Sequence, residues 1–317
     1  MRIADAAALH YPVSVPTVFY TDQHHIPLPD GHKFPLSKYR KVREQIESDS
    51  TLASHLKLLP APLASAEDAM YAHDPDYVRE FLSGALSAPA MRRIGFPWSE
   101  ALVARTMASV GATLAATEVA LSPDAWSGTL AGGTHHAFRA EGSGFCVFND
   151  IAIAISKLLA HDTIDRAAVI DLDVHQGDGT AEIFRAEPRV FTLSLHSRTN
   201  FPFRKQHSRL DLELADGTGD DDYLRTLDHA LPQLFAFEPE IVFYQAGVDA
   251  LSSDTLGHLN LTHDGLRERD RRVFESVRAH RVPLVITLGG GYSRPVEDAV
   301  LAHLNTYRTA IGVFGEG

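Results

Sequence analysis

The chain has one cysteine, Cys146, among its 317 residues, so no disulfide can form within it. That fits a reducing compartment, although some secreted proteins also lack disulfides. No apolar run approaches the roughly 18 residues that would suggest a membrane span. A leader peptide is not expected, because the short apolar run in the N-terminal "MRIADAAALHYPVSVP" is broken by Asp5 and His10. A cytoplasmic enzyme is the expectation. Positive charge is scarce: 29 Lys and Arg against 41 Asp and Glu give a net charge of −12. That argues against a nucleic-acid partner, since phosphate contacts need clustered Lys and Arg. An acidic surface suits cationic substrates such as lysine-rich peptides or polyamines, and it equally serves plain solubility. No linker rich in Pro, Gly or Ser divides the chain and no internal repeat is found, so residues 1–317 read as a single domain.

Hydrophobic residues at 44% and charged residues at 22% describe a soluble protein with a substantial core. Near-continuous Val, Ile, Leu and Phe mark strand candidates at 16–20, 167–173, 189–195, 240–247 and 282–290. Such runs suit strands buried on both faces, as in parallel sheets. Helical patterns lie between them, at 97–121, 148–160, 221–236, 262–280 and 293–313. In the fourth, Thr262 is a good N-cap, and Leu266, Val273, Phe274 and Val277 share one face. The alternation implies an α/β fold with a mostly parallel central sheet flanked by helices. Residues 197–220 form a long connection, which is uncommon unless functional, with "LDLEL" as a small extra strand inside it.

The chemistry gathers just past the strands. "AAVI" is followed by "DLDVHQGDG", with Asp171, Asp173, His175 and Asp178; "IVFYQAG" leads to Asp249, "LVITLGGG" to Tyr292, and "VFTLSL" to His196. Ligands of open parallel α/β sheets bind beyond the carboxyl ends of the strands, so these residues can converge. If the extended geometry continues past the strand, Asp173 and His175 face the same way and can share a metal. Asp249 supplies a third ligand, and three ligands plus water describe a catalytic zinc site. An isolated Asp-x-His after a strand can also be a capping or salt-bridging pair. The density of acids among buried strands weighs against that, because unpaired buried charge is expensive.

Two tandem pairs, His24–His25 and His135–His136, complete the set of candidates. The second lies in "GGTHHAFRAEGSGFCVFND"; with "VIDLDVHQGDGT", "TLSLH", "QAGVDAL" and "LGGGY" it forms an ordered series covering nearly the whole chain. That series resembles the zinc-dependent histone deacetylases, which have the arginase/deacetylase-like fold with the site at the C-terminal ends of the strands. "HHIPLPDGHKFPLSKYRKV", "DALSSDTLGHLNLT", "GLRERDRRVF" and the compact length resemble bacterial relatives of the class IV enzymes.

The resemblance implies one catalytic zinc ion on Asp173, His175 and Asp249. It implies that His135 and His136 flank the attacking water, with His136 as general base and acid, and that Asp171 orients His135 while Asp178 orients His136. It gives Tyr292 the role of hydroxyl donor to the developing oxyanion. Gly144, Phe145, Phe201 and Gly290 are implied around the substrate; Phe201 could also be core. A potassium site is implied on Asp171, Asp173 and the carbonyls of His175, Ser194 and Leu195. His24, His25 and His32 would border the tunnel mouth without binding metal, and Cys146 is read as a small buried residue.

The implied activity is removal of acetyl or longer acyl groups from lysine side chains of peptides or proteins. Acetylpolyamine amidohydrolases share the chemistry, but an insertion of the kind they carry is not evident between residues 74 and 126. The binuclear arginase pattern Asp-x-His-x-Asp is absent, since Gly177 follows His175 by two and Leu251 follows Asp249 by two. A catalytically dead acyl-lysine reader would be expected to have lost a ligand or the tyrosine, and none is missing.

Overall fold

Among the described residues eight strands hydrogen-bond side by side in one sheet, and every pairing between them is parallel. In chain order they are β1 (Thr17–Tyr20), β2 (Lys57–Pro60), β3 (Trp126–Thr129), β4 (Ala167–Asp171), β5 (Val190–Ser197), β6 (Leu210–Leu214), β7 (Ile241–Gln245) and β8 (Leu284–Thr287). Across the sheet the order is β2-β1-β3-β8-β7-β4-β5-β6. The computed structural model describes residues 15–122 and 125–315, so the stretch read above for a leader, residues 1–14, lies outside the described residues.

The apolar runs behave as parallel strands should. Side chains alternate across a strand, so a strand buried on both faces must be apolar at every position. Val242 and Tyr244 of β7 enter one core, and Ile241 and Phe243 enter the other. Ala168 and Ile170 of β4 divide from Ala167 and Val169 in the same way. The helices Ser37–Ser48, Asp220–Phe235, His263–His280 and Val296–Gly315 cover the first face. Pro75–Ser83, Glu100–Ala120 and Asp150–Ala160 cover the second. Each fully buried Val, Leu, Ile or Phe contributes on the order of 1.5–3 kcal/mol, so these two layers hold the sheet rigid beneath its loops.

The expected helices are found within a few residues, and Thr262 caps its helix by accepting the Gly265 N–H at 3.0 Å. "LDLEL" is β6, an edge strand whose Asp211 and Glu213 discourage further pairing. Three strands end earlier than their apolar runs suggest, at Asp171, Gln245 and Thr287. The residues beyond are loops that carry the site. Strands β2 and β3 and the helix Ser37–Ser48 are not expected from periodicity; β3, with the sequence "WSGT", is too short and too polar to signal a strand, yet it is fully buried.

Candidate active site

Four neighbouring strands, β3, β8, β7 and β4, send their C-terminal loops to one place. The loop after β3 carries His135 and His136, that after β8 carries Gly290 and Tyr292, that after β7 carries Asp249, and that after β4, between Asp171 at the strand end and Asp178 at the start of the next helix, carries Asp173 and His175. All of these except Asp171 and Asp178 line a single cavity of about 690 Å³. His196, at the end of β5, does not reach it: the ring is buried against the Ser194 hydroxyl at 2.9 Å, and burial lowers its pKa to about 4.

The chain does not stay extended beyond β4. The Asp171 carboxylate accepts the N–H of Asp173 at 3.1 Å, and the Asp173 carboxylate accepts that of His175 at 3.0 Å. These two short-range bonds turn the backbone, as Asp side chains do when they compete with a regular ladder. Asp173 and His175 therefore meet through turns and not through strand alternation. Asp249 joins them from β7, fixed by the Val174 N–H at 2.8 Å.

One ligand atom from each of Asp173, His175 and Asp249 lies within 4.8 Å of the others. His175 Nδ1 faces Asp173 Oδ1 at 2.9 Å and Asp249 Oδ2 at 3.1 Å. A ring nitrogen carries at most one proton, so two carboxylates converging on it are placed as ligands of a shared cation would be. Burial and the Asp173 charge push the Asp249 carboxyl up, the crowding of buried charge that a metal ion relieves. Glycines clear the space. A Cβ on Gly290 would fall 1.9 Å from Asp249 Oδ2, and one on Gly247 would fall 2.4 Å from Asp173 Oδ2. One nitrogen and two carboxylate oxygens suit a zinc-like ion. Among the described residues no other cluster of this kind occurs.

Two buried histidine–aspartate pairs stand beside the triad. His135 Nδ1 meets Asp171 Oδ2 at 2.7 Å, and His136 Nδ1 meets Asp178 Oδ1 at 2.7 Å, with the two ring centroids 4.1 Å apart. The pairs titrate in opposite directions. Burial opposes a charged His135, but Asp171 and Asp173 outweigh it and raise its pKa to about 9. For His136, burial and the neighbouring His135 charge prevail over Asp178 and lower the pKa to about 4. Adjacent titratable groups pushed apart in this way can hold and move a proton between them. Burial raises the Tyr292 phenol well above its ordinary value, so it remains a hydroxyl donor.

Phe201 and Phe145 form two walls of the cavity. Phe201 meets the His136 ring edge-on at 4.9 Å, and Phe145 lies 6.2 Å from the Tyr292 ring. Phe201 is thus a wall residue and not core. Gly144 (φ +54°) lies where a Cβ would stand 2.8 Å from the His136 ring. His32 does not line the cavity but packs behind its wall, accepting the Phe34 N–H on Nδ1 at 3.1 Å and stacking on Phe96 at 5.7 Å. His24 and His25 do not line it. Cys146 is buried, and burial raises its thiol pKa well above the ordinary value, which leaves it inert. Ser194 and Leu195 are buried in β5, with Ser194 in register with Asp171 of β4.

Residues that sequence reasoning missed hold the loops. Asp150 accepts the N–H groups of Gly133 at 3.0 Å and Thr134 at 2.8 Å, tying the histidine loop to a helix N-terminus. Gln245 donates to the Gly133 carbonyl at 2.8 Å. His73 accepts the Asn149 N–H on Nε2 at 2.8 Å and faces the Phe138 carbonyl through Nδ1 at 2.9 Å. Asp254 accepts the Tyr292 N–H. Lys38, fully buried, donates to the Gly289 carbonyl at 3.3 Å, and burial lowers its pKa to about 8. Only the N-capping "ND" before an apolar run could have pointed to one of them, Asp150.

Comparison with known proteins agrees with this geometry. The family model for the histone deacetylase domain matches residues 32–307. An uncharacterised protein of Picosynechococcus is 41% identical over 94% of this chain and 99% of its own length. Histone deacetylase 2 of Arabidopsis thaliana is 32% identical over 91% of this chain and 79% of its own. A histone deacetylase-like amidohydrolase of Pseudomonas aeruginosa is 30% identical over 90% of this chain and 80% of its own. No helix among the described residues is long and apolar enough to cross a membrane.

Proposed function

The chain belongs to the histone deacetylase family of amide hydrolases, and we propose that it is a zinc-dependent lysine deacylase with residues 1–317 acting as one catalytic domain. The observation that carries this reading is the Asp173–His175–Asp249 triad facing two histidine–aspartate pairs in one cavity. Asp173, His175 and Asp249 would hold the zinc. When bound, the ion supplies Lewis acidity, polarising the amide carbonyl and lowering the pKa of water.

The chain's own residues then divide the remaining work. His136, kept neutral by burial, accepts the proton of the attacking water on Nε2, while Asp178 fixes the tautomer through Nδ1. The same nitrogen later gives that proton to the leaving lysine amine. His135, oriented by Asp171 through Nδ1, stands beside His136 and the metal triad as the second hydrogen-bonding imidazole for the attacking water. The Tyr292 hydroxyl donates to that oxyanion; such a donor is commonly worth on the order of 10²–10³ in rate. Phe145 and Phe201 enclose the lysine methylenes, with Gly144 and Gly290 leaving room for the chain. The potassium site remains an implication of family membership for Asp171, Asp173, His175, Ser194 and Leu195.

Lys33, Arg92 and Arg93 line the exposed end of the cavity, which disfavours a free polycation such as an acylated polyamine. The test is the initial rate of zinc-loaded protein on lysine peptides acylated from acetyl to myristoyl, alongside acetylputrescine. Turnover of the peptides supports the reading. Preference for acetylputrescine, or no amide cleaved at all, would overturn it.

A further inference from the structure

One wall of the cavity that holds the metal triad is a face of the helix Glu100–Ala120. Leu102, Arg105, Thr106 and Ser109, at the spacing of a single helical face, line it. Arg105 is only 8% exposed, and its Nη1 atom has no hydrogen-bond partner. No ion pair to it occurs among the described residues. Asp22, the acid whose charge acts on it, is already held by three hydrogen bonds from Arg43. The guanidinium rests instead on neutral aromatic side chains: the Tyr39 hydroxyl is its polar neighbour, and it lies 4.5 Å from the centroid of the Tyr39 ring and 5.8 Å from that of Phe34.

A buried cation without a counter-charge is costly, and buried charges are ordinarily paired. The other buried arginine, Arg269, follows that rule by pairing with Asp270. Arg105 departs from it at the wall of a cavity. Outside the metal triad every charged side chain lining that cavity is cationic: Arg105 within, and Lys33, Arg92 and Arg93 toward the mouth. Arg105 and the metal triad line the same cavity, with closely spaced groups between them. Arg105 lies against the Tyr39 ring, and the Lys38 amine lies 5.1 Å from that ring and 5.9 Å from the Tyr292 ring, so Tyr39 and Lys38 together link Arg105 to Tyr292.

We propose that Arg105, with the hydroxyls of Thr106 and Ser109, is a carboxylate-binding site that selects acyl groups ending in a second carboxyl, such as succinyl or glutaryl. This rests on the amide-hydrolase reading and names its substrate class. An arginine fork and flanking hydroxyls match a carboxylate in geometry and charge, and the low-polarity surroundings strengthen the pairing. The reaction balances as for any amide. Water adds its oxygen to the acyl carbon, the C–N bond breaks, and the amine leaves as an ammonium. The acyl group leaves as a dicarboxylate with one charge on each end.

The test compares acyl groups of equal length, succinyl with butyryl and glutaryl with pentanoyl, on one lysine peptide, using the wild type and Arg105→Met. The wild type is expected to favour the acidic acyl group in kcat/KM by about 10- to 100-fold, a ratio that collapses in Arg105→Met. The variant should melt no lower than the wild type, because it removes an unpaired buried charge. An unchanged ratio, or a wild type that prefers the neutral chain, overturns the proposal while leaving the amide hydrolase standing. Calorimetry with free glutarate, pentanoate and acetate gives a readout independent of turnover. Glutarate binding that disappears in Arg105→Met supports the site even if no peptide is cleaved. Absence of Arg105-dependent binding overturns it, as does equal binding of acetate, which would assign Arg105 to the released acid.

Discussion

The backbone N–H of Tyr292 donates to the carboxylate of Asp254 at 2.5 Å. The same carboxylate accepts the N–H groups of Leu256 at 2.8 Å and Gly257 at 2.9 Å, so one side chain joins the loop after β7 to the loop after β8. Asp254 is therefore a positioning residue for the tyrosine. Asp254→Ala should lower kcat about 10- to 100-fold with little change in KM, and the bound zinc should stay. Tyr292→Phe should lose about 10²–10³ in kcat with zinc retained. Full activity of Tyr292→Phe would remove the oxyanion role from the mechanism.

Asp249 is the proposed ligand that follows β7, whereas the other two follow β4. Asp249→Ala should abolish stoichiometric zinc and turnover together, as measured by metal analysis of dialysed protein alongside the rate. Turnover surviving that substitution would contradict the ligand set.

Gly290 offers a test that leaves every ligand in place. Its Cβ would stand 1.9 Å from Asp249 Oδ2 and 2.8 Å from Asp173 Oδ2, so Gly290→Ala must displace both carboxylates. Zinc affinity should fall about 10- to 100-fold, the loss typical when the support of metal ligands is disturbed. Gly312→Ala is the control: nothing lies within 4 Å of its Cβ inside the helix Val296–Gly315, and it should stabilise the fold by about 0.5–1 kcal/mol. Equal zinc affinity in both variants would refute the steric argument.

His73 should make stability depend on acid. Burial lowers its pKa from 6.5 to about 4, and the Asn149 N–H occupies the nitrogen that would take the proton. The folded-state value lies below the unfolded one, so the unfolded chain binds the extra proton first. Stability from this group is complete above about pH 6.5 and is lost as pH falls toward 4, by on the order of 3 kcal/mol. Urea unfolding of His73→Gln should show a flatter decline across that interval than the wild type. Parallel curves would show that His73 does not titrate with unfolding.

The gathering of the site's side chains in one cavity was legible because most of them sit in a short motif just past an apolar strand, where a parallel sheet brings its loops together. His135, His136, Asp173, His175, Asp249 and Tyr292 needed only that rule and the order of the motifs. The mode of convergence was not legible. Asp173 and His175 meet through side-chain bonds to the backbone that halt β4 at Asp171, a competition between Asp carboxylates and the ladder that apolar periodicity does not register. His73, Gln245, Asp254 and Arg105 escaped for a related reason. Each acts on a partner far away in sequence, so its own neighbourhood holds no sign of its task. Strand β3 is the clearest case in the fold, since "WSGT" becomes a strand only because β1 and β8 lie on either side of it.

That placement of β8 between β3 and β7 also governs the order in which the molecule can be assembled. A growing chain presents both histidines and two of the three ligands well before Asp249, β8 and Tyr292 have been synthesised. Until then β3 and β7 lack the neighbour that separates them, and their facing edges stay open. Pairings so distant in sequence form slowly. A nascent chain stalled between Asp249 and β8 would therefore carry all three residues of the metal triad while exposing two unpaired edges and lacking Gly290 and Tyr292.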